Sequence, residues 1–125
     1  MEFIEYSKCS TCRKAKKYLD ENNIKYVDRE IKERCPQYDE INTWINKYGI
    51  EVNKLFNTSG LVYREMKLKD KLKDMSKMEK IDLLAHNPML IKRPILVCKD
   101  KILIGFKIEE WRNLWNKVLK IMLKK

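Results

Sequence analysis

A short apolar-centred strand pattern, Glu2-Phe3-Ile4-Glu5-Tyr6, leads through Ser7 and Lys8 into Cys9-Ser10-Thr11-Cys12 and then into an amphipathic helical pattern. Strand, two thiols two residues apart, then helix is an order few folds can satisfy, because it puts both cysteines where a strand ends and a helix begins. Ser10 and Thr11 are small polar residues able to cap a helix whose first turn they enter. Cys9 is then expected at a helix amino terminus, where unpaired N–H groups and the positive end of the macrodipole favour an anion.

A thiolate, not a thiol, is the nucleophile, and an unperturbed cysteine of pKa about 8.5 is only roughly 3% ionised at neutral pH. The helix end, together with the flanking Lys8 and Arg13, is expected to make Cys9 the more acidic thiol of the pair. Cys12, one turn further in, is placed to attack an adduct formed on Cys9 and close a small ring. Two other uses of the pair stay open at this level. A structural zinc site normally needs a second ligand pair, and Cys35, His86 and Cys98 are isolated from one another in sequence. Two cysteines that merely pack as small apolar groups would be poorly served by lysine, serine, threonine and arginine around them.

The 125 residues fit one domain, with a core formed from 1–33 and 88–125 and a helical insert over about 37–86. Scattered cysteines and a sizeable apolar fraction argue against a disulfide framework, so a reducing, cytoplasmic setting is expected. No basic segment followed by an apolar run opens the chain, and no apolar run reaches membrane-spanning length. A formal charge of +10 favours anionic partners. No nucleic-acid-binding motif accompanies the lysines, so solvated helix faces are expected rather than direct nucleic-acid binding.

Along the chain, Cys12, Ala15, Tyr18 and Leu19 form the inner face of the first helix, which should stop near Asn22-Asn23. Ile24 to Ile31 reads as a second strand centred on Tyr26 and Val27, parallel to the first. Ile41, Trp44, Ile45 and Tyr48 mark a helix that Gly49 ends. Tyr63 to Leu72 reads as helical with Met66 and Leu68 inward, and Ser76 to Glu79 is a capping box opening a helix with Met78, Ile81, Leu84 and Ala85 inside. Arg93 to Cys98 and Lys101 to Gly105 form an antiparallel hairpin. Trp111, Leu114, Trp115, Val118, Leu119 and Met122 predict a long terminal helix packed across a broad surface, its tryptophans in the core.

This order of elements is that of an α/β thioredoxin-like, glutaredoxin-like domain with a mixed sheet, a helical insert and a C-terminal helix. Cys9-Ser10-Thr11-Cys12-Arg13-Lys14-Ala15, Leu55-Phe56-Asn57-Thr58-Ser59-Gly60-Leu61-Val62-Tyr63-Arg64 and Asn87-Pro88-Met89-Leu90-Ile91-Lys92-Arg93-Pro94-Ile95 together resemble the arsenate reductase family, including its Spx-like regulators. The resemblance implies a nucleophile at Cys9, an anion-holding arginine at Arg93, and a proline shaping the site at Pro94, whose peptide bond is expected to be cis. Arg13, flanking the thiols, and Asn57, standing where the family carries an arginine, are also expected beside the bound anion; the resemblance implies a thiol reductant such as glutathione, glutaredoxin or thioredoxin as partner, with no other cofactor. RNA polymerase is the partner implied if the chain is Spx-like, although Tyr48 to Val52 departs from the Spx pattern there. Where glutathione-linked arsenate reductases carry two further arginines, this chain has Asn57 and the stretch Gly105-Phe106-Lys107. Cys12 is a second loop cysteine those enzymes lack and many Spx-like proteins have.

Overall fold

In the computed structural model the backbone is described over residues 1–123 and side chains over residues 1–120. Four strands, β1 (Glu2–Glu5), β2 (Val27–Glu30), β3 (Ile95–Val97) and β4 (Ile102–Ile104), form one sheet in the order β2-β1-β3-β4. β1 runs parallel to β2, with Phe3 opposite Asp28, and antiparallel to β3, with Ile4 opposite Ile95. The crossover between β1 and β2 is helix α1 (Ser10–Glu21), as a parallel pair requires.

Side chains alternate along these strands, so β1, β3 and β4 each feed two cores. Phe3, Leu96 and Leu103 point to one face, where Ala15 and Leu19 of α1 and Trp111 of α6 (Ile108–Leu123) cover them. Ile4, Ile95 and Ile102 point to the other, where α2 (Tyr38–Tyr48), α3 (Leu61–Glu65), α4 (Leu68–Lys71) and α5 (Lys77–Ala85) cover them. Gly49 ends α2 in the left-handed conformation, φ 66°, that an L side chain resists. Ser76 and Glu79 close the capping box at α5, each accepting the other's backbone N–H at 3.1 and 3.0 Å.

Several expectations are corrected. The stretch read as one helix over Tyr63 to Leu72 is two, because Lys67 takes a left-handed conformation at φ 55° and turns α3 away from α4; Leu68 and Leu72 are buried, while Met66 is only half-buried. Met78 is 69% exposed, since it lies in the first turn of α5, before that helix meets the core, and Met75 packs against the core instead. Val27 is 61% exposed and Arg29 is buried, the reverse of the expected apolar centre for this edge strand. The terminal helix buries Trp111 but leaves Leu119 40% exposed, so only its first turns are covered; the side chain of Met122 lies outside the described residues.

Candidate functional site

Because β1 and β3 are antiparallel, the carboxyl end of β1 meets the amino end of β3. The cysteine loop and the Arg93-Pro94 pair therefore share one end of the sheet, although they lie far apart in sequence. The loop is held by backbone and carboxylate contacts. The N–H of Cys9 donates to the Tyr6 carbonyl at 3.0 Å, and the N–H of Ser7 donates to Glu30 Oε2 at 3.0 Å.

Cys9, not Ser10 or Thr11, is the residue that caps α1. Its backbone is extended, and its Sγ accepts the N–H of Cys12 at 3.3 Å. Sulfur thus takes the place an N-cap oxygen normally fills, on an otherwise unpaired helix donor. Cys9 is half-exposed and Cys12 is fully buried directly behind it, both as free thiols. Burial pushes the Cys12 thiol up to about 12, reinforced by Cys9 and opposed by a backbone hydrogen bond from Tyr6 and the charge of Arg93. Cys12 is consequently a protonated thiol at neutral pH.

Arg93 lies across the Tyr6 ring, its guanidinium carbon 5.1 Å from the ring centroid. One terminal nitrogen donates to the carbonyls of Ile91 at 3.0 Å and Met89 at 3.4 Å. Its Nε is buried with no hydrogen-bond partner among the described residues. The Arg93–Pro94 bond is cis, as expected, and the Pro94 carbonyl accepts the N–H of Gly105 at 2.8 Å. The Gly105 carbonyl in turn accepts Trp111 Nε1–H at 3.2 Å, and Phe106 stacks edge-on to Trp111 at 5.0 Å. The proline beside the thiols is thereby tied to the aromatic core on the α6 face.

The structure brings Cys9, Cys12, Arg93 and Pro94 together. Asn57 comes near the same end of the sheet through a different route: Phe56 bridges to Ile91, and the Asn57 N–H donates to the Leu90 carbonyl at 2.7 Å. Its side chain, however, folds over Gly60, where a Cβ would come within 2.7 Å of Asn57 Nδ2. Arg13 is exposed on α1, in a groove shared with Lys17 and Asp20, and its side chain makes no hydrogen bond or ion pair among the described residues. Cys35 sits apart under α5, its Sγ 3.5 Å from the Ala85 carbonyl, and Cys98 lies at the opposite end of β3.

Two residues at this end escaped the sequence reading. Tyr6 carries Arg93 on its ring, also faces Lys32 Nζ at 5.6 Å, and supplies backbone contacts to both cysteines. Glu5 is 4% exposed and pairs with Lys16 at 3.2 Å, while Lys16 also reaches Asp28 at 2.8 Å. Burial, then a hydrogen bond with Asp28, raises the Glu5 carboxyl to about 7, with Lys16 opposing. The available signal was Glu5 two residues from Phe3, which puts a carboxyl on the α1 face of the sheet.

Comparison with known proteins agrees with this fold. The ArsC family model matches residues 4–114. The YusI protein of Bacillus subtilis is 43% identical over 115 residues, 92% of this chain and 98% of that protein. Global transcriptional regulator Spx 2 of Bacillus anthracis is 27% identical over 105 residues, 84% of this chain and 79% of that protein. A crystal structure from Bacteroides fragilis, described as ArsC family related, superposes with a TM-score of 0.85 at 50% identity, covering 90% of this chain and 95% of that one. With a family model spanning residues 4–114 and a relative 43% identical over nearly the whole chain, the chain belongs to the ArsC family.

Proposed function

We propose that this protein is a thiol–disulfide redox protein in which Cys9 attacks and Cys12 resolves. The observation that carries the reading is Cys9 Sγ at the cap of α1, accepting the Cys12 N–H at 3.3 Å with the Cys12 thiol buried behind it. Negative charge on Cys9 is stabilised by that N–H and the helix end, whereas Cys12 stays protonated until an adduct forms. The Cys9 thiolate attacks a disulfide RS–SR, forming Cys9–S–SR and releasing RS⁻. Cys12 then gives up its proton and attacks Cys9 sulfur, releasing the second RS⁻ and leaving a Cys9–Cys12 disulfide. The protein loses two electrons and the substrate disulfide gains them. A thiol reductant resets the pair, and a reducing, cytoplasmic setting suits that cycle.

The test is a redox titration of the full chain with mass readout of free thiols. Loss of two hydrogens mapped to Cys9 and Cys12 is expected, and Cys9→Ser should abolish it. Four thiols that remain free at every potential would refute the reading.

A second reading is favoured by the 27% identity to Spx 2: a redox-sensing regulator in which the same disulfide alters a surface that binds RNA polymerase. Capture of RNA polymerase by the reduced or oxidised chain, without turnover of disulfide substrates, would select it.

A further inference from the structure

Among the described residues β4 is an edge strand, with β3 on one side and no strand on the other. Its register pairs Ile104 with Ile95, Leu103 with Leu96 and Ile102 with Val97. Hydrogen bonds flank that run at both ends: the Gly105 N–H donates to the Pro94 carbonyl at 2.8 Å, and the Cys98 N–H to the Lys101 carbonyl at 2.9 Å. Bonded and non-bonded pairs alternate in an antiparallel ladder, so Leu103 exchanges its bonds with Leu96, and the N–H and C=O groups of Ile102 and Ile104 point off the edge. No turn or loop backbone group among the described residues bonds to them. A cleft of about 370 Å³ runs along that edge, lined by Ile102 and Ile104 of β4 and by Asn53, Lys54 and Phe56 from the stretch after α2. Two donors and two acceptors, spaced as a strand presents them, thus face concave space.

Lys54, Lys92 and Lys107 border the same cleft from three separate segments, against one carboxylate, Glu110. All three lysines are exposed, and none makes an ion pair among the described residues. The side chains of β4 itself are uncharged, so these lysines set the sign of the field at its edge. Lysines at a sheet edge discourage pairing with like-charged strands, and a second copy of this chain, at net charge +10, would bring the same lysines again. A strand of opposite charge meets no such repulsion. We propose that β4 is an interaction edge that takes up, as an added strand, an extended acidic segment of a partner protein, its backbone pairing with Ile102 and Ile104 and its carboxylates meeting Lys54, Lys92 and Lys107. Backbone pairing supplies affinity for such a segment, and the lysines select its charge. Neither cysteine of the loop takes part, so this surface does not depend on Cys9 being the attacking thiol.

The experiment is solvent exchange of assigned backbone amides in the isotope-labelled full chain, read by NMR. The probe is a capped seven-residue peptide in which glutamate alternates with valine. At about ten times its dissociation constant, taken from the same titration, exchange at Ile102 and Ile104 should slow about tenfold. The same peptide with every backbone nitrogen methylated has no donor for the edge, and the peptide with lysine in place of glutamate has the wrong charge; neither should slow those amides at that concentration. Lys92→Glu together with Lys107→Glu should weaken the acidic peptide about tenfold, since two attractive contacts become repulsive. Lys69→Glu together with Lys73→Glu, exposed lysines on and beside α4, lower the net charge equally but away from the cleft, and should change its affinity less than about twofold. Unaltered exchange at Ile102 and Ile104 up to about 1 mM acidic peptide overturns the proposal. Equal slowing by the methylated or the lysine peptide does so too, as does equal weakening in both charge-reversed proteins. Slowing that grows with chain concentration in the absence of peptide gives the edge to a second copy and overturns the acidic partner.

Discussion

Arg29 and Arg93 are both drawn in from the surface, and they are treated in opposite ways. Arg29, on β2 opposite Ile4, has every part of its guanidinium occupied: Nε donates to the Arg34 carbonyl at 2.8 Å, and the terminal nitrogens donate to Glu40 at 2.8 and 2.9 Å and to Glu2 at 3.1 Å. Glu40, followed by burial and Glu2, acts on its charge, and the net effect is to hold the guanidinium protonated. Arg93 has two carbonyls, an aromatic face and a buried Nε that meets no acceptor among the described residues. An arginine with two carboxylates is a clamp between strands and helix. Arg93, by contrast, is held by backbone carbonyls and a ring and meets no carboxylate among the described residues.

Arsenate should expose the contrast most sharply. An arsenate beside Cys9 would have Arg93 as its one guanidinium donor, because Asn57 is neutral and folded over Gly60, and Lys107 is a point charge lining the neighbouring cleft. Each missing oxyanion donor costs about 3 kcal/mol, roughly a hundredfold in rate. Steady-state arsenate turnover with glutathione and glutaredoxin, or with thioredoxin, is therefore expected to be weak, and to rise with Asn57→Arg. Efficient wild-type turnover that disappears in Arg93→Ala would contradict this and make arsenate the substrate.

The stability consequences should run the other way. Arg29→Met leaves Glu2 and Glu40 without their cation, and since both are partly exposed the loss should be about 2–3 kcal/mol, below that of a fully buried pair. Urea denaturation followed by circular dichroism would measure it. Arg93→Met should shift the same midpoint by less than about 1 kcal/mol, because the lost hydrogen bonds and ring contact are offset by removal of an unpaired buried donor. Its alkylation rate at Cys9 should nevertheless fall about tenfold, or about 1.4 kcal/mol. If Arg93→Met unfolds the protein as readily as Arg29→Met, the distinction between the two arginines is lost.

The smallest expected effect is on pH dependence. Glu5 titrates near 7 in the fold against an ordinary 4.5, so across that interval the native state holds a proton the unfolded chain has lost. Stability from this group is fully present below about 4.5 and falls as pH rises through about 7, by at most about 1.4 kcal/mol per pH unit. Asp28, held below its ordinary 3.8 by Glu5 and Lys16 against the opposing effect of burial, gives the reverse slope only in more acidic solution. Exposure of Lys16 and Asp28 reduces the net change to about 1 kcal/mol between about pH 4.5 and pH 7. Denaturation midpoints across that range should decline in the wild type and be flat in Glu5→Gln.

Much of this was legible in the chain because it is local. The spacing of Cys9 and Cys12, the period of Ala15 and Leu19, the stop at Gly49 and the capping box at Ser76 are set by neighbours within a turn or two, and all appear as read. Where reading failed, a distant partner intervened. Met78 obeys helical spacing, but the core begins one turn further along α5. Val27 and Arg29 share one face of the edge strand, yet Val27 stays exposed while Arg29 is buried where Glu40 arrives from α2 to meet it.

From its own residues the sequence determines that a strand, a thiol pair and a helix follow in order, that the strands are of two-faced type, and that Arg93-Pro94 leads a hairpin. Only the tertiary structure decides which side chains meet. The antiparallel pairing of β1 with β3 puts Arg93 on Tyr6, and the folded chain leaves Arg13 facing solvent and gathers three lysines from separate segments into one cleft. The physical reason is that capping, helical period and turn chemistry act over a few residues, whereas burial and charge pairing act through space and depend on where the whole chain has gone.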